Sequence, residues 1–364
     1  MAALRVERVR LPLRAPLRTA WGDLAERELV RVRLAFSEAD WGDGEAAPLE
    51  PYDGVPLGAV LAALDAYGAL LAETGPDEDH RALLAACWAE RPLPQALAAI
   101  DLALWDRAGR RAGRAVAELL IEPAEGSWMG AGARPADSGG GRPAARRLDA
   151  VPVNALIGAE DRAGAAAAAR RAAAAGFTCV KVKVGVGDDA GRLAAVRAAV
   201  GPAVAIRADA NGAWRSPEEA LANLRALAPV GLELCEEPVH GVDALRAVRA
   251  ESPIPIAMDE TAAPASGATD SVCLKVARSG GISGLLADAR AARETGAQVY
   301  VASSFDGPLG IAAGLHAAAA LAATGPLLPC GLATLDAFEA AVPTGLTPRA
   351  GAIAVPTGPG LLTT

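Results

Sequence analysis

The chain has 364 residues, 52% of them hydrophobic, so it can bury a large core as one barrel with additions or as two or three domains. A formal net charge of −8 and a pI near 5.1 argue against a surface that binds nucleic acid. No apolar run reaches the length of about 18 residues that a membrane span needs. Arg and Glu interrupt the N-terminal segment, which therefore predicts no signal peptide.

The cysteines agree with a cytoplasmic location, which is our expectation. They are five in number, scattered and without CxxC spacing: Cys87, Cys179, Cys235, Cys273 and Cys330. We interpret them as reduced, buried thiols and do not expect a zinc site. Neither a nucleic acid nor a membrane is an expected partner.

The first 110 residues have the pattern of a separate α+β unit. Alternating hydrophobic and charged residues predict strands at 4–11, 28–36 and 40–45, with a loop at 18–22 between the first two. Helical periodicity predicts helices at 56–73, 78–89 and 93–108. A small antiparallel sheet with helices and two long loops, 18–22 and 43–56, fits this order.

Residues 111–330 form the second predicted domain, in which strands and helices alternate. Strands are predicted at 151–154, 179–184, 203–209, 232–236, 254–258, 271–275, 298–303 and 327–330. Helices are predicted at 161–175, 190–199, 216–228, 283–294 and 308–323. This alternation favours a parallel sheet covered by helices, as an α/β protein of the (β/α)8 barrel type. A doubly wound open sheet is the alternative, although no GxGxxG motif follows the first strand to support a dinucleotide site.

Two segments do not share the alternation. Residues 124–149 are rich in Gly, Ala, Pro, Ser and Arg without an apolar period, which predicts a mobile loop or linker. Residues 331–364 are rich in Pro and Gly. We expect this tail to pack back on the N-terminal unit and to complete it.

The strand at 179–184 carries two of the only three lysines, although the chain has 35 Lys and Arg residues. Lys181 and Lys183 share one face at a spacing of about 7 Å. At that distance each ammonium lowers the pKa of the other. Lysine, unlike arginine, can then release its proton near neutral pH. The pattern favours a proton-transfer site over two solvated lysines on an edge strand.

Charged residues also end the next predicted strands, at the edge where parallel barrels place their active sites. The carboxylates are Asp209, Glu236 and Asp259, and the third lysine, Lys275, ends the sixth strand. Oxygen ligands on rigid strands suit a hard cation such as Mg²⁺, and a purely structural ring of salt bridges is the alternative. Strand parity places Glu236 on the inner face and turns Glu237 away.

The order of these motifs resembles the enolase superfamily in its muconate-lactonizing branch. The motifs are Lys181-Val182-Lys183, Asp209-Ala210-Asn211, Glu236-Glu237-Pro238, Asp259-Glu260 and Lys275, with 41–45 and 101–106 in the N-terminal half. The resemblance covers nearly the whole chain. It implies an N-terminal capping domain, a modified barrel, Mg²⁺ on Asp209, Glu236 and Asp259, and a lysine base.

Two further stretches, 151–154 and 303–310, resemble o-succinylbenzoate synthases of the actinobacterial type. There the small-residue loop holds the succinyl carboxylate of the substrate through backbone N–H groups and hydroxyls near a helix N-terminus. We assign five residues to substrate binding: Arg18, Arg207, Ser303, Ser304 and Gly307. The serines and the glycine belong to the small-residue loop, and Arg207 is expected to pair with substrate or with metal ligands.

The implied reaction is the dehydration of 2-succinyl-6-hydroxy-2,4-cyclohexadiene-1-carboxylate to o-succinylbenzoate, a step of menaquinone synthesis. By resemblance, Mg²⁺ binds the substrate carboxylate and stabilises an enediolate while Lys183 removes the α-proton. The same lysine then protonates the departing hydroxide. Lys181 keeps the pKa of Lys183 low, and Lys275 stabilises the anion from the other face.

Two other functions fit the same residues. In a racemase of N-acylamino acids, or a related muconate-cycloisomerase-like isomerase, Lys183 and Lys275 act as bases on opposite faces of one α-carbon. An inactive scaffold would require a damaged metal site, whereas every predicted ligand is present. The histidines lie in predicted helices or loops away from the His–Asp pair of mandelate-racemase-like enzymes. Dipeptide epimerases carry an Asp-x-Asp element at the last strands, where this chain has only Asp306, in a different setting. The partner is expected to be a small carboxylate, and the oligomeric state is left open.

Overall fold

The computed structural model describes residues 2–19, 22–122, 148–158 and 160–362, without the side chains of residues 17–19. At the N-terminus an antiparallel sheet has the order β1-β2-β3, with β1 (Ala3–Thr19), β2 (Gly22–Ala35) and β3 (Trp41–Ala46). Buried Val30, Val32 and Leu34 alternate with exposed Arg31 and Arg33 along β2. This alternation sets which face of the sheet packs against the helices.

The predicted loop at 18–22 is wrong in its extent. Strands β1 and β2 stay paired as far as Thr19 and Gly22, with one irregularity between Pro12 and Leu17. Residues 20 and 21 lie outside the described residues. Backbone pairing extends the two strands at this point, and an alternation of hydrophobic residues did not signal it.

The described part of the N-terminal half, residues 2–19 and 22–122, also contains five helices: α1 (Glu50–Asp53), α2 (Leu57–Leu71), α3 (His80–Glu90), α4 (Pro94–Ala112) and α5 (Val116–Ile121). Helix α4 lies directly on β3 because Gly42 and Gly44 have no side chains, and a Cβ on either would overlap a carbonyl oxygen of α4. The prediction missed α1 and α5, since helices of one or two turns show too little periodicity to detect.

The second half is built around a parallel, barrel-like sheet of seven strands. The strand β4 (Ala150–Pro152) precedes it. The sheet runs in chain order through β5 (Ala155–Ile157), β6 (Cys179–Lys183), β7 (Ala205–Asp209), β8 (Leu234–Glu236), β9 (Ile256–Met258), β10 (Ser271–Lys275) and β11 (Gln298–Ala302). The associated helices are α6 (Arg162–Ala174), α7 (Asp189–Val200), α8 (Pro217–Leu227), α9 (Val242–Glu251), α10 (Ile282–Glu294) and α11 (Pro308–Thr324).

The predicted eighth strand, 327–330, forms bridges rather than a regular strand. On one side the N–H of Gly331 donates to the carbonyl oxygen of Val301 at 2.8 Å. On the other side the N–H of Cys330 donates to Pro152 at 2.8 Å, and Cys330 accepts from Asn154 at 2.9 Å. The segment therefore makes backbone hydrogen bonds next to both edges of the seven-stranded sheet.

The C-terminal tail contacts both halves of the chain. Its strand β12 (Ala352–Ala354) pairs with β4. Leu361 donates its backbone N–H to Asp106 of α4 at 2.7 Å, and Glu339 donates to the carbonyl oxygen of Pro12 at 2.9 Å. The domain boundaries at 110 and 330 stay a prediction, and the predicted mobile loop at 124–149 falls almost wholly on residues outside the described ranges.

The five cysteines are buried and unpaired, as expected. Of the helices in the described ranges, none combines the length and the apolar character that crossing a bilayer requires.

Candidate active site

A cavity of about 140 Å³ opens at the carboxyl ends of the parallel strands. All three lysines of the chain line it, with two of the predicted metal ligands and part of the small-residue loop. The charged and hydroxyl-bearing residues in its wall are Tyr52, Lys181, Lys183, Asp209, Asp259, Lys275, Ser303, Ser304 and Thr334. They converge because parallel strands end at one edge of a sheet.

The strand register sets the neighbours of each charged group. Lys183 on β6 pairs with Asp209 on β7, which pairs with Glu236 on β8. Three strands separate β6 from β10 in the sheet. Lys183 and Lys275 therefore face the cavity from different walls.

Lys181 forms ion pairs with two of the predicted metal ligands. Its Nζ lies 2.6 Å from Glu236 Oε1 and 3.1 Å from Asp209 Oδ2. Burial acts to lower the pKa of Lys181, but these carboxylates outweigh it and raise the pKa above the usual lysine range. We predicted that Lys183 lowers the pKa of Lys181. That prediction is wrong for Lys181, because the two carboxylates raise its pKa.

Lys275 is buried in a second charged cluster, with Asp259 and Tyr52. Its ammonium donates to both carboxylate oxygens of Asp259 and, at 2.7 Å, to the hydroxyl oxygen of Tyr52. The Tyr52 hydroxyl in turn donates to Asp259 Oδ1 at 2.6 Å. Burial lowers the pKa of Lys275, yet Asp259 outweighs burial and raises it. Lys275 is therefore held as a cation on this wall.

Two of the three predicted metal ligands have oxygens close to one another. Ligand atoms of Glu236, Asp259 and Cys273 lie within 4.8 Å of each other. Burial raises the pKa of the Cys273 thiol well above its usual value, and a neutral thiol is a poor ligand for a hard cation. Asp209 and Glu236 share the partner Lys181, whereas Asp259 pairs with Lys275.

The surroundings of these carboxylates fit a hydrated Mg²⁺ ion. Asn211 Nδ2 donates to Glu260 Oε1 at 2.7 Å. The other oxygens of this pair, Asn211 Oδ1 and Glu260 Oε2, are buried without a hydrogen-bond partner among the described residues. Burial and the nearby Asp259 raise the pKa of Glu260 to about 8. A hydrated divalent cation would neutralise the negative charge of these carboxylates and bind the oxygens that have no partner.

Glu236 and Glu237 point to different partners. Glu236 is buried and accepts from Lys181 and, at 2.6 Å, from the Tyr300 hydroxyl. Glu237, with a positive φ of 39°, accepts the backbone N–H groups of Asp259 at 2.8 Å and Thr261 at 3.0 Å. Glu237 therefore shapes the turn after β9, and Glu236 lies among the charged groups of the site.

Arg207 does not lie in the cavity wall. It is fully buried, its Nε donates to Glu233 at 2.5 Å, and its Nη1 donates to the carbonyl oxygen of Pro329 at 2.7 Å. Its guanidinium also stacks over the Tyr300 ring, with 4.7 Å to the centroid. These partners hold Arg207 away from the substrate position, so its predicted pairing with substrate or with metal ligands is not supported.

Two parts of the small-residue loop have different surroundings, one at the cavity and one at the N-terminal sheet. Ser303 Oγ lies 2.8 Å from Thr334 Oγ1, and Ser303 and Ser304 both line the cavity. Gly307, by contrast, donates its N–H to Glu45 of β3 at 2.7 Å. The helix N-terminus that we assigned to a substrate carboxylate thus holds a carboxylate of the protein itself, which corrects the assignment of Gly307. The side chain of Arg18 lies outside the described residues.

Sequence reasoning missed Tyr52, Tyr300 and Glu45. Tyr52 lies in α1, within a segment interpreted as loop, and Tyr300 lies in the middle of a buried strand where an aromatic residue signals only packing. Glu45 belongs to the motif at 41–45, which resembles the enolase superfamily, but the sequence assigned it no contact. Each acts through a partner more than 60 residues away in the sequence.

We expect Tyr300→Phe to weaken Mg²⁺ binding by about tenfold, because groups that orient a ligand typically change metal affinity by 10- to 100-fold. The hydroxyl that donates to Glu236 is lost, while the ring on which Arg207 stacks remains. Calorimetric titration with Mg²⁺ measures the effect. Tyr67→Phe is the matched control, since that buried hydroxyl donates to the Arg91 carbonyl, remote from the site. Equal Mg²⁺ affinities of Tyr300→Phe and the wild type would contradict the role.

Comparison with known families defines the class of the protein. The family described as Mandelate racemase / muconate lactonizing enzyme, N-terminal domain, matches residues 1–120. The family described as Enolase C-terminal domain-like matches residues 164–364. The chain therefore belongs to the enolase superfamily, as its motifs predicted.

Among individual relatives, the chain is similar to o-succinylbenzoate synthases and to an epimerase. It is 41% identical to the o-succinylbenzoate synthase of Thermobifida fusca over 53% of this chain and 62% of that protein, which is less than two thirds of the relative. With the Mycobacterium leprae o-succinylbenzoate synthase it shares 37% identity over 66% of this chain and 72% of that protein. With L-Ala-D/L-Glu epimerase of Bacillus subtilis it shares 28% over 88% and 85%.

Solved structures with the same fold include a dipeptide epimerase from Enterococcus faecalis, in complex with Mg and a dipeptide. It has a TM-score of 0.84 at 24% identity and covers 99% of this chain and 98% of its own. The L-Ala-D/L-Glu epimerase of Bacillus subtilis, in a substrate-liganded complex, has a TM-score of 0.82 at 27% identity, with 98% and 97% covered. These neighbours share an N-terminal cap followed by a barrel-like domain.

Proposed function

We propose that the protein is an o-succinylbenzoate synthase, a lyase that dehydrates 2-succinyl-6-hydroxy-2,4-cyclohexadiene-1-carboxylate in menaquinone synthesis. One observation carries the chemistry: lysines from β6 and β10 face one cavity from different walls, with three carboxylates between them on adjacent strands. That arrangement suits removal of a proton next to a carboxylate group. The similarity to two o-succinylbenzoate synthases supports this member of the superfamily.

Asp209, Glu236 and Asp259 are the residues that would hold Mg²⁺. The ion would supply the positive charge that stabilises the negative charge developing on the substrate carboxylate. The carboxylate oxygens, and the unused oxygens of Asn211 and Glu260, support this assignment.

Lys183 is the proposed acid and base. It takes the α-proton of the substrate, and the electron pair of that C–H bond is first delocalised onto the substrate carboxylate. The pair then forms the new ring double bond as the C–O bond to the hydroxyl group breaks. The resulting ammonium returns the proton to the departing hydroxide, so that water leaves from the same face. One group on one wall is sufficient for both transfers.

Lys275 has a different task on the opposite wall. Its ammonium is fixed by Asp259 and Tyr52 and provides a positive charge that needs no reorganisation as the anion forms. Lys181, paired with Glu236 and Asp209, places those carboxylates. Ser303 and Ser304 are the proposed hydroxyl contacts for the second carboxylate of the substrate.

The remaining assignments belong to the same proposal. The sheet is a closed (β/α)8-type barrel with the 328–331 segment in the eighth position, preceded by an α+β cap to 110. The protein is cytoplasmic, and its partner is a small carboxylate. The hydrogen bonds on both sides of 328–331 support the closure.

A racemase or epimerase is the second candidate, and two observations favour it. The epimerase of Bacillus subtilis matches 88% of the chain, and lysines on two walls can serve as two bases. Incubation with N-succinyl amino acids in D₂O separates the candidates. A racemase exchanges the α-proton of both enantiomers, whereas the proposed dehydratase exchanges that of one at most.

The direct test of the proposed function is an assay with the cyclohexadiene carboxylate. We expect Mg²⁺-dependent formation of o-succinylbenzoate, followed by chromatography. Absence of the product with folded, Mg²⁺-supplemented protein would reject the proposal.

A further inference from the structure

The loop after β11, which lines the cavity, is bound by a buried arginine of the N-terminal sheet. Arg27 of β2 donates from Nε to the carbonyl oxygens of Ser304 at 3.1 Å and Phe305 at 3.3 Å. Its Nη1 donates to the carbonyl oxygen of Pro48 at 2.7 Å. Arg27 thereby joins the segment after β3 to the loop after β11.

Glu45 of β3 makes a second connection to the same loop. Its Oε1 accepts the N–H groups of Gly307 at 2.7 Å and Gly310 at 3.3 Å, in the first turn of α11. These N–H groups have no partner within the helix, and a carboxylate is favoured there by the helix dipole. A Cβ on Gly310 would lie 2.8 Å from Glu45 Oε1, so the carboxylate sits against the bare backbone.

Phe305 shows that this part of the loop is under constraint. Its φ is +59°, in the left-handed region that bulky side chains rarely occupy. Such a conformation is unfavourable and persists only when its surroundings enforce it. Phe305 lines the cavity. Arg27 donates to the carbonyl oxygen of Phe305, and Glu45 accepts the N–H of Gly307, two residues after it.

Packing alone does not account for the charges in this contact. Glu45 and the neighbouring Asp306 are both buried, and burial together with Asp306 raises the pKa of Glu45 to about 7. Asp306 accepts the N–H of Ser304 at 3.1 Å, which adds a third charged group to those that contact the backbone of the loop. Two carboxylates and one guanidinium are costly to bury, and each of them makes at least one hydrogen bond to the backbone of the loop after β11.

We propose that Arg27 and Glu45 are positioning residues, which hold Ser304 and Phe305 in the conformation that receives the substrate. The N-terminal sheet thereby determines the substrate affinity of a site whose reacting groups lie on the parallel sheet. The substrate part of this inference rests on the proposed function, whereas the contact itself does not.

The test compares Glu45→Ala, Glu45→Gln and the control Glu28→Ala. Glu28 lies on the same sheet, and its carboxylate pairs with the exposed Arg10 instead of the loop. Hydrogen exchange of peptides that span 303–311 reports on the loop without any substrate. Steady-state kinetics with the cyclohexadiene carboxylate report on the site.

For Glu45→Ala we expect KM to rise about tenfold with kcat changed less than about threefold, since binding geometry is lost and the reacting groups are not. Exchange of the Gly307 and Gly310 amides should accelerate about tenfold, in keeping with the loss of one charge-assisted hydrogen bond. Glu45→Gln should rescue both, because its amide oxygen still accepts from these N–H groups. A purely structural role predicts no such separation of KM from kcat.

Unchanged exchange and unchanged KM in Glu45→Ala would overturn the inference, as would a Glu45→Gln variant as impaired as Glu45→Ala. Should Glu45→Ala fail to fold, Gly310→Ala tests the same contact, because its Cβ would push the Glu45 carboxylate away from the loop. The same two measurements, exchange and KM, then apply to that variant. Should the wild type fail to form o-succinylbenzoate, the proposed function fails alone. The exchange rates then still decide whether Glu45 holds the loop.

Discussion

Lys183→Arg should abolish conversion of the cyclohexadiene carboxylate, with kcat lowered by about 10³-fold or more, because general acid–base groups contribute that much and arginine cannot accept the proton. Lys183 lines the cavity beside Asp209 in the strand register. The rate of o-succinylbenzoate formation measures the loss, with circular dichroism as the check on folding.

Lys275→Arg separates the two candidate functions. For a dehydratase, a fixed positive charge on that wall is sufficient, and arginine can still pair with Asp259. We therefore expect partial activity, lowered by about tenfold as the cost of a changed charge position. In a two-base racemase the same variant should lose racemisation as completely as Lys183→Arg does. A dehydration rate of Lys183→Arg equal to that of the wild type would remove Lys183 from the role of base.

Substitution of the predicted metal ligands should produce the second large effect, a loss of Mg²⁺ affinity. Asp209→Asn, Glu236→Gln and Asp259→Asn should each weaken Mg²⁺ binding by about 100-fold or more, since each removes a charged oxygen ligand of a hard cation. Activity should fall with the affinity, while the fold survives. Calorimetry with Mg²⁺ and circular dichroism measure the two quantities.

Glu237→Gln is the matched control for Glu236→Gln, since the two residues are adjacent and differ in direction. Glu237 accepts hydrogen bonds from the turn at Asp259 and Thr261, and a glutamine oxygen can accept them as well. We expect a loss of Mg²⁺ affinity of less than about tenfold, the lower bound for groups that only orient a ligand. Equal losses in the two variants would show that Glu237, and not Glu236 alone, serves the metal.

The sequence was sufficient to predict the strands that carry the site. The prediction for residues 271–275 agrees with β10 at both ends, because hydrophobic strands between helices have a clear pattern. Placing Lys183, Asp209 and Glu236 at strand ends then needed only the rule that parallel strands end at one edge. Parity also distinguished Glu236 from Glu237, because side chains alternate along a strand.

Contacts between distant segments were beyond the reach of such patterns. The place of Arg207 on a strand did not reveal its partners, which are Glu233 and, from a distant part of the chain, Pro329. The small-residue loop at 303–310 indicated an anion at a helix N-terminus, and the sequence could not reveal that Glu45 supplies it. Both corrections concern partners chosen by tertiary packing.

The central claim is that one Mg²⁺-dependent site removes water from the cyclohexadiene carboxylate. Its most direct test measures kcat/KM for this dehydration and for racemisation of an N-succinyl amino acid on one preparation, before and after EDTA. We predict that dehydration has the larger kcat/KM, is lost in EDTA and returns with added Mg²⁺. Full dehydration activity in EDTA-treated protein, or a larger kcat/KM for racemisation, would contradict the account.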